Sequence, residues 1–279
     1  MIPIDGVKLL LAIFDRLLAA IILGSIRPLL GEGDKIALIV SPGTESRVID
    51  SLVSPGYRFQ QLVDAGKTRL VDAWKAQLFP KGTSVVAQNQ PLGPGHAVLQ
   101  ASDVLSEGDT MIIFPDNICL SLDDENKPVS WPAVLREAHR RLDANCNGKV
   151  AVVGVKRVPE DQVHRYGVVG LGSEVLGFSR IEKFVEKPSI DQAPSNFAAV
   201  GYYILPWEIF DVLARETPPG KGGELQLTDA IAILMGKGVA VFAVELPGEW
   251  LDVGTPEGVY QATEKVRRLV ENGILEPTC

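Results

Sequence analysis

Thr110-Met-Ile-Ile-Phe-Pro-Asp-Asn117 is an apolar, β-rich run that stops at a proline, an acid and an amide. Met111 to Phe114 read as a buried strand, and Pro115 cannot extend a hydrogen-bonded ladder, so Asp116 falls just past the strand's carboxyl end. Runs of the same kind recur at Lys35–Val40, Lys149–Val155 and Val239–Val244. Between many of them apolar residues fall at helical spacing: Val7–Ile22, Lys67–Leu78, His96–Leu105, Trp131–Leu142, Pro206–Arg215, Thr228–Met235 and Pro256–Asn272. Several of these stretches open on Ser, Thr, Pro or Gly, as helix starts do. Strands alternating with helices predict an α/β sheet with a helical layer packed on it. In such a sheet the ligand crevice lies outside the carboxyl ends of the strands, where Asp116 sits.

Composition narrows what this sheet could serve. An apolar fraction of 46% in 279 residues supports a substantial core. A formal charge of −8 without a basic block argues against a nucleic acid polymer or an anionic membrane as partner, so any phosphate must be met by local groups. The segment Leu9–Leu30 is interrupted by Asp15, Arg16 and Arg27, and is read as a buried helix rather than a membrane span. Cys119, Cys146 and Cys279 are too few and wrongly spaced for a disulfide framework or a zinc site, which suits the cytoplasm. Asp123–Val129 and Lys187–Ser195 are turn-rich but short for linkers, and no repeat is present, so residues 1–279 are read as a single domain.

Three further segments carry chemistry. Gln88-Asn-Gln-Pro-Leu-Gly-Pro-Gly-His96 runs straight into a helical pattern, leaving backbone amides free at the helix start to meet a polar ligand; the glycines could equally be loop punctuation. His96 lacks a second ligand at metal spacing and reads as a hydrogen-bonding residue at the helix end. Trp250-Leu-Asp-Val-Gly-Thr255 offers a second acid, Asp252, just before a Gly and a Thr-Pro helix start. Magnesium keeps several waters and takes one or two carboxylates plus substrate phosphates, so Asp116 and Asp252 would suffice if the fold joins them; a strand-end Asp also serves as a turn former or cap. Phe184-Val-Glu-Lys-Pro188 ends a strand-like run with two side chains expected to diverge. In a cleft Glu186 could accept hydrogen bonds from sugar hydroxyls and Lys187 could neutralise a sugar phosphate; on the surface they would be an exposed pair.

In order, Gln88 with Pro91–Val98, Pro115-Asp116, Tyr166-Gly-Val-Val169, Val185-Glu-Lys-Pro188, Ala193-Pro-Ser-Asn196, Gly223–Ile231 and Asp252–Gly258 resemble the sugar-1-phosphate nucleotidyltransferases. The resemblance is strongest to the bacterial UTP–glucose-1-phosphate uridylyltransferases, with thymidylyltransferases as near relatives. It spans nearly the whole chain and implies a Rossmann-like α/β fold with a mixed central sheet flanked by helices. It also implies an activity: a phosphate oxygen of glucose 1-phosphate attacks the α-phosphorus of UTP in line, giving UDP-glucose and pyrophosphate with magnesium as cofactor.

Carried over position by position, the resemblance gives Gln88 and the Gly93 backbone to the base, and Gly167 to the nucleotide sugar. Asp116 and Asp252 fall to magnesium and, with Lys187, to catalysis. Glu186 and Lys187 fall to the sugar phosphate and Gly201 to the sugar. Tyr202 departs from the pattern, standing where the relatives often carry Arg. UTP or dTTP and a sugar 1-phosphate are the implied partners, and relatives often form homo-oligomers, although no interface is legible.

The relatives precede the stretch resembling Met1-Ile-Pro-Ile-Asp-Gly6 with a strand, a Gly-x-Gly-Thr-Arg loop and a Pro-Lys-Pro segment, roughly two dozen residues that bind the triphosphate. The expectation is a sheet with that first strand missing, neighbouring strands left unpaired, and impaired transfer in the chain as given. The alternative class is a non-catalytic nucleotide-sugar-binding or regulatory protein. A nicotinamide dehydrogenase is disfavoured because no Gly-x-Gly-x-x-Gly follows a strand.

Overall fold

The computed structural model describes residues 23, 25–31, 33–76, 78–120 and 129–272. The expected helix Val7–Ile22, most of the Asp123–Val129 turn and Cys279 lie outside the described residues. In chain order the elements are β1 (Ala37–Val40), α1 (Glu45–Val48), α2 (Tyr57–Asp64), α3 (Thr68–Ala76), β2 (Ser84–Ala87), α4 (Pro94–Leu99), β3 (Thr110–Ile113), β4 (Asn117–Leu120) and α5 (Trp131–Asp143). They continue with β5 (Val150–Arg157), β6 (Gly167–Val175), β7 (Phe178–Glu186), β8 (Phe197–Leu205), α6 (Glu208–Arg215), α7 (Leu227–Gly236), β9 (Ala240–Glu245), β10 (Glu249–Asp252) and α8 (Pro256–Glu271).

A six-stranded sheet runs in the order β3-β8-β5-β9-β7-β6. The β5–β9 pair is parallel and the other pairs are antiparallel, so the sheet is mixed as expected. β6 also pairs with the first half of β8 at Val168↔Ala198 and Val169↔Phe197, which closes the β8-β5-β9-β7-β6 pairings into a circuit. Two short ribbons stand apart: β1 with β2, parallel, and β4 with β10, antiparallel. Among the described residues β1–β2 does not hydrogen-bond to the larger sheet, which ends at β3.

Sequence explains the layering. β5 is a continuous apolar run, and Val150 to Val155 are all buried, as a strand covered on both faces requires. Its alternate residues feed two cores: Ala151, Val153 and Val155 join Ile209, Leu213, Leu227 and Ile231 of α6 and α7 on one side. Val150 and Val152 join Trp131, Leu135, Ala138 and Leu142 of α5 on the other. The α5 residues recur at three- and four-residue intervals, the stripe that a helix presents to a sheet. α5 starts where Ser130 accepts the Ala133 N–H at 3.2 Å, with Pro132 in the first turn. The expected helix His96–Leu105 is shorter than its pattern: regular helix covers Pro94–Leu99 and hydrogen-bonded turns carry the chain on to Leu105.

Candidate active site

The short β4–β10 ribbon brings together the two acids that the sequence keeps far apart. Its register sets Asp252 opposite Asn117, and the Val253 N–H donates to the Asp116 carbonyl at 2.8 Å. A Cβ at Gly254 would stand 3.1 Å from Asp252 Oδ1 and 3.4 Å from Asp116 Oδ2, so both carboxylates border one small space that glycine leaves open. Removal of its carboxyl from water raises the Asp116 pKa above the ordinary value, and the facing Asp252 charge adds to the rise. Its own backbone N–H and the Asn117 amide, which donates to Asp116 Oδ1 at 2.6 Å, oppose it.

The acids are held from behind by groups to which the sequence alone assigned no role. Trp250 Nε1 donates to Asn117 Oδ1 at 2.8 Å, and the Tyr202 hydroxyl donates to the Asn117 carbonyl at 3.1 Å. Tyr202 itself is buried against Trp131. Gly201, at φ +75°, lies beneath this turn: a Cβ there would meet Asn117 Nδ2 at 2.7 Å and Phe114 Cβ at 2.9 Å. On the far side Arg165 Nη2 and the Tyr166 hydroxyl donate to Asp252 Oδ2 at 3.0 and 3.2 Å. One signal was available for Trp250: in a strand, residues two apart share a face, which sets it beside Asp252.

Glu186 ends β7 directly opposite Gly167 on β6. A Cβ at Gly167 would reach Thr228 Cγ2 at 2.8 Å and Glu186 Oε2 at 3.1 Å, so glycine is what lets β6 pass this close. The Thr228 hydroxyl donates to Glu186 Oε2 at 3.0 Å. Burial raises the Glu186 pKa; Thr228 and Lys187 oppose the rise, and the Asp229 and Glu224 charges add to it. Lys187 does not diverge as expected. It adopts φ +44°, a sparsely populated backbone state for a side chain, and its ammonium returns to within 3.8 Å of Glu186 Oε1. The Lys187 N–H donates to the Tyr166 carbonyl at 3.0 Å, so Tyr166 touches the Glu186–Lys187 corner with its backbone and Asp252 with its hydroxyl.

Tyr203 is within electrostatic reach of both groups. It is buried on β8, and burial first, then the charges of Glu186 and Asp116, drive its pKa well up. Gln88 follows β2 and donates to the Gly93 carbonyl at 3.0 Å, with His96 Nδ1 at 3.1 Å from the same amide nitrogen. His96 therefore has the hydrogen-bonding environment expected of it. The glycine loop is locked to the segment before α7: the Leu225 N–H donates to Leu92 O at 2.6 Å and the Gly95 N–H to Leu225 O at 2.8 Å. Gly93, at φ +95°, has room for no side chain, since a Cβ would stand 2.8 Å from Glu224 Cβ.

Among the described residues no group of three or more His, Cys, Asp or Glu side chains forms a metal-binding cluster. The Asp116–Asp252 pair nonetheless fits magnesium, which needs few protein carboxylates when substrate phosphates complete its shell. The open space beside Gly254 and the Asp116 and Asp252 oxygens that face each other across it are the two observations that favour the fit. No helix among the described residues is long and apolar enough to cross a membrane.

Comparison with known proteins gives a consistent result. A family model described as Nucleotidyl transferase matches residues 67–268. The chain is 33% identical over 227 residues to a UTP–glucose-1-phosphate uridylyltransferase of Streptococcus pyogenes, an alignment covering 79% of this chain and 70% of that protein. Its fold resembles that of a UTP-bound UGPase from Acinetobacter baumannii, with a TM-score of 0.71, 28% identity and coverage of 91% of this chain and 82% of the other. It also resembles a UDP-glucose pyrophosphorylase complexed with UDP-glucose, with a TM-score of 0.69, 26% identity and coverage of 92% and 85%.

Proposed function

Because this chain belongs to the nucleotidyl transferase family, we propose that it transfers the uridylyl group of UTP to glucose 1-phosphate, releasing pyrophosphate. The observation that carries the reading is the meeting of Asp116 and Asp252 at one open space, with the Glu186–Lys187 corner tied to Asp252 through Tyr166. The names of the relatives, UTP–glucose-1-phosphate uridylyltransferase and UDP-glucose pyrophosphorylase, supply the substrates.

In this reading a sugar-phosphate oxygen attacks the α-phosphorus of UTP. The new phosphorus–oxygen bond forms as the bond to the bridging β-phosphate oxygen breaks, and the electron pair leaves on pyrophosphate. The protein has no bond of its own to make, so its residues position groups and offset charge. Glu186 has Oε2 held by the Thr228 hydroxyl and Oε1 3.8 Å from the Lys187 ammonium; with substrate bound, Oε1 would accept from a sugar hydroxyl and Lys187 would set its ammonium against the sugar phosphate. In this reading Gly167, packed beside Glu186, borders the nucleotide sugar, and Gly201, beneath the Asn117 turn, borders the glucose. Asp116 and Asp252 would hold magnesium, which when bound neutralises charge on the reacting phosphates.

Gln88 spends its N–H groups on Gly93 and His96, which leaves its amide oxygen to accept the N–H on the pairing edge of the base. Uracil and thymine present the same N–H there, so thymidylyl transfer is the second reading and Gln88 does not separate the two. Reduced Cys146 is compatible with a cytoplasmic site of action.

Pyrophosphate release by the whole protein, with magnesium, glucose 1-phosphate and either UTP or dTTP, tests the proposal. Faster release with UTP is expected. Faster release with dTTP would make it a thymidylyltransferase, and absence of release from a folded protein that still binds UDP-glucose would make it a binding protein.

A further inference from the structure

The Asp252 carboxylate is almost fully engaged before any metal arrives. Oδ1 accepts the Gly254 N–H at 3.0 Å and faces Asp116, while Oδ2 accepts from both Arg165 Nη2 and the Tyr166 hydroxyl. Arg165 is fixed by more than this ion pair. It closes the short 3₁₀ helix Glu160–Arg165, and its guanidinium lies 5.2 Å from the centre of the Tyr166 ring, which packs on Trp250 with centroids 4.8 Å apart. The pair is not sealed from water: the Arg165 and Asp252 side chains keep 40% and 25% of their exposure.

A divalent ion held by Asp116 Oδ2 and Asp252 Oδ1 would therefore share one carboxylate with a fixed guanidinium on its other oxygen. Like charges at that range oppose each other even where water screens them. The guanidinium also draws on the same negative charge that attracts the metal. We propose that Arg165 is a built-in counter-cation: a positioning residue that fixes Asp252 in a one-oxygen presentation and lowers the affinity of the acid pair for a divalent ion. The consequence is functional, because a site that is weak alone loads its metal chiefly when triphosphate oxygens contribute further negative charge and ligands. The inference rests on the reading of Asp116 and Asp252 as the metal carboxylates.

The test is binding of Mn2+ alone, without nucleotide, to the whole protein, followed by the loss of the free-ion electron paramagnetic resonance signal. Arg165→Met is expected to tighten Mn2+ about fivefold to tenfold, the size expected from removing one nearby positive charge. Arg165→Lys keeps the charge and is expected to bind Mn2+ within about twofold of the parent. A merely structural Arg165 would instead give a lower melting temperature and unchanged or weaker Mn2+ binding in Arg165→Met, which would overturn the proposal. Asp252→Asn separates this failure from failure of the metal reading. If that substitution leaves Mn2+ binding of the parent unchanged, Asp252 is no ligand and both readings fall; if it weakens binding while Arg165→Met fails to tighten it, only the counter-cation falls.

Discussion

Glu186 and the Asp116–Asp252 pair are both acids at strand ends, but they are held by different means. Glu186 closes β7, a nine-residue strand paired along most of its length with β6, and its carboxylate is set by Gly167 across the ladder and Thr228 above. Asp116 and Asp252 hang on a ribbon of four residue pairs that belongs to no larger sheet among the described residues. Side chains do there what a sheet does for Glu186: Trp250 and Tyr202 brace Asn117, and Arg165 and Tyr166 brace Asp252. A rigid corner suits a sugar that must be recognised hydroxyl by hydroxyl.

Substitution breaks the comparison first where charge is essential. Asp116→Ala is expected to lower pyrophosphate release roughly 1,000-fold or more, in line with removing a principal source of transition-state stabilisation. The circular dichroism spectrum should be unchanged, because Asp116 ends a turn whose backbone hydrogen bonds remain. Magnesium-dependent release near the parent rate would remove Asp116 from the site. On the other side Lys187→Ala is expected to cost roughly 10- to 100-fold in kcat/KM for glucose 1-phosphate, the range for one charge-assisted contact. Unchanged rates at low glucose 1-phosphate would reject that role. Lys187→Gly sharpens the point: it also removes the charge but relieves the φ +44° backbone, so it should match Lys187→Ala in rate while melting higher.

The sequence made one of these regions more legible than the other. Asp116 could be placed because a four-residue apolar run and a proline mark the end of its strand, and an open α/β sheet puts ligands at that edge. Its partnership with Asp252 follows from the antiparallel ribbon β4–β10, a contact between segments about 130 residues apart that no local pattern announces. β7, with only Ile181 and Phe184 buried, is legible only near its end, and the long strands β6 and β8 only in fragments. Gly170, Gly172 and Gly201 interrupt their apolar alternation, and β6 shifts register at Gly170 and again before Glu174. Lys187 departs from its expected geometry for a different reason. A residue before proline is normally pushed to extended geometry, which would have separated its side chain from that of Glu186; the hydrogen bond from Lys187 N–H to Tyr166 holds it in the left-handed region instead. Tyr166 opens a segment that carries the resemblance and Arg165 precedes it, but their role at Asp252 follows only from the carboxylate they share.

The bracing itself can be weighed by removing one strut. Trp250→Phe keeps the aromatic packing on Tyr166 but deletes the hydrogen bond to Asn117, leaving that amide oxygen to find another donor. A loss of about 1 kcal/mol is expected, read as a melting temperature lower by about 2–4 °C. If the ribbon is held by such struts, Mn2+ binding should weaken in the same variant. An unchanged melting temperature and unchanged Mn2+ affinity would show that the four ladder pairs suffice without it.

The smallest effect expected is on the sheet-held side, and it runs in the opposite direction. Burial raises the Glu186 pKa in the folded protein above its unfolded value, so between those values the folded state binds more protons than the unfolded one. Stability therefore falls as pH rises through that window, and at neutral pH the ionised Glu186 is a standing cost to the fold. Glu186→Gln removes the charge while its amide oxygen still accepts the Thr228 hydroxyl. The variant should melt above the parent at pH 7 and lose that advantage as pH falls below the ordinary carboxylate range, while glucose 1-phosphate affinity drops at neutral pH. Thermal melts at three or four pH values decide it. A variant that melts below the parent at every pH would mean that the Lys187–Glu186 contact outweighs burial, and that this corner is held by charge as the ribbon is, rather than by the sheet.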